Sequence, residues 1–312
     1  MNSFPDLSTP TASLPKGDAA SGRRNDASWR TTLTNALLDR RPPPERLGPY
    51  VVGPVLGVGG TAHVYRAVRR NLGLSIALKV ADLDEVRGGA ERLYREAEAL
   101  SRVEHPHVVD VIDVGTIGTF AFLALERLET SLASWRRALR SHEEVLRHLT
   151  DVGAALAATH RAGLLHRDVK PHNMMLDSAG RARLIDFGIA CSGRECERRH
   201  GDGVRVPVGT PNYMAPEQYR GDPIDARADQ FGFCVSLFEL LTRERPFRGE
   251  TPDEVYASAM RGRVSIGAAR LPDRLRPVVV RGLSARPDDR YPSMDALLDD
   301  LQRATERRSD AA

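Results

Sequence analysis

Beginning at Tyr50, apolar and polar residues alternate over three short stretches, Tyr50 to Leu56, Ala62 to Ala67 and Ser75 to Val80, set apart by glycine-containing turns. Period-two patterning predicts strands, and their close spacing predicts an antiparallel meander. The period then lengthens: Leu93, Ala97 and Leu100 share one face of a helix predicted over Ala90 to Val103. Val108 to Val114 and Phe120 to Glu126 read as two more strands, giving a five-stranded sheet with one helix. Beyond about residue 130 helical spacing dominates, in Glu143 to Ala162, Ala226 to Thr242, Pro252 to Arg261, Leu271 to Leu283 and Met294 to Ala304. Only the strand pieces Met174 to Leu176 and Ala182 to Ile185 interrupt it. The expected fold class is therefore α+β, with a small sheet-rich lobe over 50–126 and a larger, mainly helical lobe over 130–304.

The flanks lack this order. Residues 1 to about 45 are rich in Ser, Thr, Pro, Ala and Asn and end in Arg40-Arg-Pro-Pro-Pro44, which favours an extended linker. A short amphipathic piece, Trp29 to Leu38, offers too little apolar surface to fold alone. Both this segment and a tail over 305–312 are expected to be disordered.

Composition narrows the classes. With 312 residues, 41% of them hydrophobic, the chain can bury a substantial core. A net charge of +3 from interspersed arginines and acids gives no basic stripe, so nucleic acid is not an expected partner. Cys191, Cys196 and Cys234 are too few for a disulfide framework, and no signal peptide is evident, so a reducing cytoplasm is expected. The apolar run Phe231 to Leu241 is too short for a membrane span and is interrupted by Glu239. Nothing in the sequence fixes the oligomeric state. One bias is informative: only three of the 45 basic residues are lysines. Where a generic positive charge suffices this chain uses arginine, so Lys79 and Lys170 mark positions that need a compact ammonium, as at a phosphate oxygen.

The motifs around those lysines agree. Leu56-Gly-Val-Gly-Gly-Thr-Ala-His-Val-Tyr65 places Gly57, Gly59 and Gly60 where backbone N–H groups can approach phosphate oxygens. A dinucleotide-binding loop would lead into a helix, whereas Val64 to Val68 alternates like a strand, so that reading is rejected. Lys79 ends a strand and needs a carboxylate to hold its ammonium; Glu96 on the next helix is the choice, ahead of Glu91 and Glu98. His166-Arg-Asp-Val-Lys-Pro-His-Asn173 packs a carboxylate, a cation and an amide together, and Asp186-Phe-Gly188 comes next. Phosphoryl transfer needs a carboxylate near the attacking hydroxyl, oxygen ligands for a cation, and positive charge for the developing anion.

In that order, from glycine loop to Asp-Phe-Gly, the motifs resemble the eukaryotic-type (Hanks-type) serine/threonine protein kinases, especially their bacterial branch, over roughly residues 50 to 304. Gly209-Thr-Pro-Asn-Tyr-Met-Ala-Pro-Glu217, Asp229-Gln-Phe-Gly232 and Arg286-Pro-Asp-Asp-Arg290 extend the likeness. The resemblance implies a bilobal kinase that uses ATP and Mg2+ on Ser or Thr hydroxyls of protein substrates. It implies Asp168 as base, Lys170 at the γ-phosphate, Asn173 and Asp186 as magnesium ligands, and a brace between Glu217 and Arg290. Asp229 would anchor the catalytic loop. It also places Leu56, Val64, Ala77 and Met175 around the adenine, the backbone of Glu126 to Leu128 at its edge, Leu125 behind it and Glu129 near the ribose.

Three departures from the family pattern stand out. Ala62 replaces a loop glycine, the hinge after Glu126 is a residue short, and between Gly188 and Gly209 the only hydroxyl is Ser192. The last predicts activity without loop phosphorylation, although Arg167 is present to receive a phosphate. In the same loop Cys191 and Cys196 are read as unremarkable rather than as a redox pair, and a metal site with His200 lacks a fourth ligand. Small-molecule phosphotransferases of this core usually lack the Gly209 to Glu217 segment, and a pseudokinase would have lost Lys79, Asp168 or Asp186; all are present.

Overall fold

The computed structural model describes residues 42–86, 88–138, 140–192, 209–262, 264 and 270–306. The expectations for residues 1–41, for Cys196 and His200, and for 307–312 lie outside the described residues.

The small lobe is one antiparallel sheet curled around a helix. Its strands are β1 (Arg46–Leu47), β2 (Tyr50–Val58), β3 (His63–Arg69), β4 (Leu74–Asp82), β5 (Val111–Ile117) and β6 (Phe120–Glu126), in the order β1-β2-β3-β4-β6-β5. The expected five strands gain a sixth, β1, too short to carry a period of its own. Alternation sends Tyr65, Ile76, Leu78 and Val80 to one face with Tyr50 and Phe122, whose rings meet edge-on at 5.5 Å. Leu93 and Ala97 of helix α1 (Gly89–Ser101) close the other face on Ala121 and Leu123. Strand β5 begins three residues later than its apolar run predicts. Val108 is taken by a parallel bridge to Leu184, and Val109 N–H donates to the Leu184 carbonyl at 3.0 Å. That stitch ties the chain leaving α1 to the large lobe.

The large lobe continues from the hinge through β7 (Thr130–Ser131), α2 (Leu132–Trp135), α3 (His142–Arg161), β8 (Leu164–Leu165), β9 (Met174–Leu176), β10 (Ala182–Leu184) and β11 (Cys191–Ser192). Strand β9 lies between β7 and β10, and β11 pairs with β8. Then come α4 (Pro216–Arg220), α5 (Ala226–Thr242), α6 (Pro252–Met260), α7 (Arg276–Gly282) and α8 (Met294–Glu306). Helix α3 starts at a reciprocal cap in which the Ser141 hydroxyl accepts from Glu144 N–H and the Glu144 carboxylate from Ser141 N–H. Helix α7 is shorter than the predicted 271–283, because Pro272 and Pro277 confine regular helix to residues beyond Leu275. Helix α8 reaches Glu306, so residues 305 and 306 are helical rather than the start of a disordered tail.

Helix α5 positions the site. It is apolar on every side and buried from Ala228 to Thr242, with Phe231, Phe233 and Phe238 among the most enclosed side chains. Burial of such phenylalanines contributes about 1.5–3 kcal/mol apiece. The polar residues on this helix are correspondingly partnered, Asp229 among them. At the far end of the lobe Arg290 donates to both carboxylate oxygens of Glu217, at 2.6 and 2.9 Å.

Candidate active site

The site assembles from a strand, a helix and two loops. Strand β4 carries Lys79, paired in register with Val64 of β3 and Leu123 of β6. Its ammonium donates to both carboxylate oxygens of Glu96 on α1, at 2.7 and 3.0 Å, and to Asp186 Oδ1 at 3.0 Å. Burial alone would depress the lysine, but the two carboxylates outweigh it and hold the ammonium above the ordinary lysine range. Burial also pushes the Glu96 carboxyl up, against the pull of the ammonium. Asp186 moves the other way: burial would raise it, and Lys79 nonetheless holds it below the usual carboxylate range. Gly188 makes this cluster possible. A Cβ there would sit 3.2 Å from Asp186 Oδ1 and 3.3 Å from Glu96 Oε2.

The catalytic loop hangs from α5. Asp229 accepts the backbone N–H groups of His166, at 2.8 Å, and Arg167, at 2.7 Å. His160 of α3 completes the clamp, with Nε2 2.9 Å from the same carboxylate. Burial would raise Asp229, yet the His160 hydrogen bond and the other donors hold it below the usual range. Gly232 lets the loop approach the helix, since a Cβ would lie 3.0 Å from the Val169 carbonyl oxygen. So held, Arg167 takes φ 69° and Asp186 φ 65°, conformations that non-glycine residues adopt only when their surroundings fix them. His166 bridges the two loops: Nε2 lies 3.0 Å from the Ile185 carbonyl, and its ring packs edge-on against Phe187 at 4.9 Å.

At the loop's tip, the Asp168 carboxylate accepts the Thr210 hydroxyl at 2.7 Å and the Thr210 N–H at 3.1 Å. Lys170 spans the same pair, 2.6 Å from Asp168 Oδ2 and 2.7 Å from Thr210 Oγ1. Asn173 donates its amide to the Asp168 carbonyl and carboxylate at 2.9 and 3.1 Å, so its amide oxygen is the end offered as a ligand. That oxygen and the Asp186 carboxylate form an all-oxygen set that fits a hard divalent cation.

A cleft of about 1400 Å³ runs over these groups. Leu56, Gly57, Gly59, Gly60, Val64, Ala77, Lys79, Glu96, Leu125, Glu126, Leu128, Lys170, Asn173, Met175 and Asp186 all line it. Asp168 does not line it directly but is bonded to Lys170, Asn173 and Thr210, which do. Glu129 lies on the rim, where Arg127 donates to it at 2.7 Å. The glycine turn is closed by Gly59 N–H on the Ala62 carbonyl at 3.0 Å and leads into a strand, as the rejection of a dinucleotide fold requires. One member of the site carries no sequence signal of its own, His160, which reaches Asp229 across 69 positions. Gly188 ends the Asp186-Phe-Gly motif, and its steric reason appears only once three charges converge on it. Cys191 departs from expectation, for it is disulfide-bonded, and Arg167 Nη1 donates to its Sγ at 3.2 Å. Among the described residues no helix is long and apolar enough to cross a membrane.

Comparison with known proteins points the same way. The family model described as protein kinase domain matches residues 50–304. The probable serine/threonine-protein kinase SCO3848 of Streptomyces coelicolor is 34% identical over 280 residues, covering 83% of this chain and 40% of that one. The serine/threonine-protein kinase PknH of Mycobacterium tuberculosis is 32% identical over 254 residues, 79% of this chain and 40% of its own. PknL of the same organism is 33% identical over 291 residues, 90% of this chain and 70% of its own. The chain thus spans about two fifths of the length of several curated relatives it matches.

Proposed function

The chain belongs to the protein kinase domain family, and from that premise we propose that it is an ATP-dependent serine/threonine protein kinase, transferring the γ-phosphoryl group to Ser or Thr hydroxyls of protein substrates. The carrying observation is the Thr210 hydroxyl. It donates to Asp168 with the Lys170 ammonium alongside, the arrangement a substrate hydroxyl needs at a general base.

In the reaction a substrate hydroxyl takes that place. Its oxygen forms a bond to the γ-phosphorus while the bond from that phosphorus to the bridging oxygen of the leaving ADP breaks, and Asp168 accepts the hydroxyl proton. Lys170 offsets negative charge on the transferring group. Lys79, aimed by Glu96, holds the α- and β-phosphates, and the amides of Gly57, Gly59 and Gly60 cover them. Leu56, Val64, Ala77 and Met175 enclose the adenine, Leu125 closes its rear, and the backbone of Glu126 and Leu128 bonds its edge. Asn173 and Asp186 would hold Mg2+, which when bound neutralises phosphate charge. Dependence on ATP favours the cytoplasm as the place of action.

Transfer of labelled γ-phosphate from ATP to the protein itself and to a generic basic substrate tests the reading. Incorporation that vanishes without a divalent cation is expected. Nucleotide binding with no transfer to either acceptor would sink it in favour of a nucleotide-binding scaffold.

A further inference from the structure

Arg183 is a buried arginine on β10, three residues before Asp186, and it neither lines the cleft itself nor belongs to the catalytic loop. Its Nη1 donates to the Val108 carbonyl at 3.1 Å and lies 3.4 Å from Glu126 Oε1 and 3.9 Å from Asp110 Oδ2. Its Nε is 3.6 Å from Asp177 Oδ2. Three carboxylates from three separate segments therefore converge on one enclosed guanidinium. Glu126 is the hinge residue of β6: its N–H donates to the Asp110 carbonyl at 3.0 Å, and its carboxylate accepts Asp110 N–H at 3.1 Å.

We propose that Arg183 is a positioning residue for the nucleotide, pinning the Glu126 hinge to the strand that leads to Asp186 and so fixing the distance between the adenine-binding edge and the cation ligands. The inference rests on the ATP-binding reading above. The guanidinium balances the charge that Asp110 and Glu126 would otherwise crowd together at the hinge, beside an Asp177 whose carboxylate also accepts Arg181 Nε at 2.9 Å. A neutral side chain of similar length leaves Glu126 facing two like charges in a half-buried site, and its backbone withdraws from the nucleotide edge. Burial already pushes the Glu126 carboxyl up, held back by the Asp110 N–H and by Arg183. Loss of the arginine therefore moves that titration further toward neutrality. Below it Glu126 is protonated and the repulsion is relieved; above it the repulsion is complete.

The test is equilibrium binding of ATP to the full chain by calorimetry, alongside steady-state kinetics. Arg183→Met is expected to weaken ATP binding about tenfold at about pH 8 while turnover at saturating ATP stays within about threefold. Relative to wild type, the deficit should shrink as the pH is lowered. Arg183→Lys, which keeps the charge, should recover most of the affinity. The double variant Glu126→Gln/Arg183→Met should bind more tightly than Arg183→Met alone and lose the pH dependence, and it carries the test should the single variant not fold. A pH-independent deficit, unchanged affinity in Arg183→Met, or no recovery in the double variant overturns the proposal. Failure of the wild-type chain to bind ATP would instead overturn the kinase reading on which it rests.

Discussion

Arg290 meets Glu217 through two parallel hydrogen bonds, 2.6 and 2.9 Å, with both side chains shut off from solvent. The guanidinium also donates to the carbonyls of Ser284 and Arg227 and lies 4.9 Å from the centre of the Phe231 ring. A buried pair so fully bonded is costly to break from one side, because the remaining charge stays in place without its counterion. Glu217→Ala is expected to lower unfolding free energy by about 3–5 kcal/mol, read from urea denaturation. A loss under about 1 kcal/mol would place the pair among weak surface bridges instead.

Asp168 and Asp186 should separate in kinetics. Asp168→Asn removes the base and should cost at least about two orders of magnitude in turnover while ATP affinity changes little. Asp186→Asn should instead shift the divalent-cation concentration needed for half-maximal activity upward. Identical cation titrations for the two variants would contradict the division of roles.

Lys79 occupies a nest of three carboxylate oxygens within 3.0 Å. A guanidinium is broader and planar and cannot keep all three contacts. Lys79→Arg should leave less than about a tenth of wild-type phosphotransfer with an unchanged melting temperature. More activity than that argues against the assignment.

Gly188→Ala probes the same cluster from behind. The added methyl sits 3.2 and 3.3 Å from two of the charged oxygens, and to make room Asp186 or Glu96 must move. The expected result is at least about a tenfold rise in the KM for ATP with stability changed by less than about 1 kcal/mol. A wild-type KM would mean that the cluster has slack.

Acid stability should trace to Asp229. Its folded pKa lies below the unfolded value of about 3.9, so its hydrogen bonds stabilise the fold in full above that value and are lost as the pH falls through the folded pKa. The urea midpoints of wild type and Asp229→Asn should therefore differ most near neutral pH and converge below about pH 4. A constant gap across that range would show that the carboxylate's charge contributes nothing specific.

Much of this architecture is written locally. The spacing of Leu93, Ala97 and Leu100 announces α1, the alternation around Lys79 announces β4, and Glu96 can be picked out because it lies on the buried side of that helix. What escapes a local reading depends on distant partners. Val108 looks like strand until Leu184 claims its neighbour, Arg183 looks like any surface arginine until Asp110, Glu126 and Asp177 arrive around it, and nothing near His160 points to Asp229. Strand β1 leaves no trace in the pattern because two residues cannot display a period. Site residues are legible where chemistry demands a particular side chain at a particular spacing. They are illegible where a residue serves by holding another in place.

The attachment of the catalytic loop to α5 also divides the molecule by how often its parts open. The amide protons of His166 and Arg167 are bonded to a carboxylate on a helix with no wet face, so they can reach solvent only when that helix is undone. The glycine turn ahead of β3 is closed by a cross-turn backbone bond from Gly59 to Ala62 and has open space beside Gly57 and Gly60. Deuterium should thus enter the phosphate-covering turn early and the loop bearing Asp168 only on the timescale of global unfolding. Breathing of the fold then admits and releases nucleotide on one side of the cleft without loosening the carboxylate on the other.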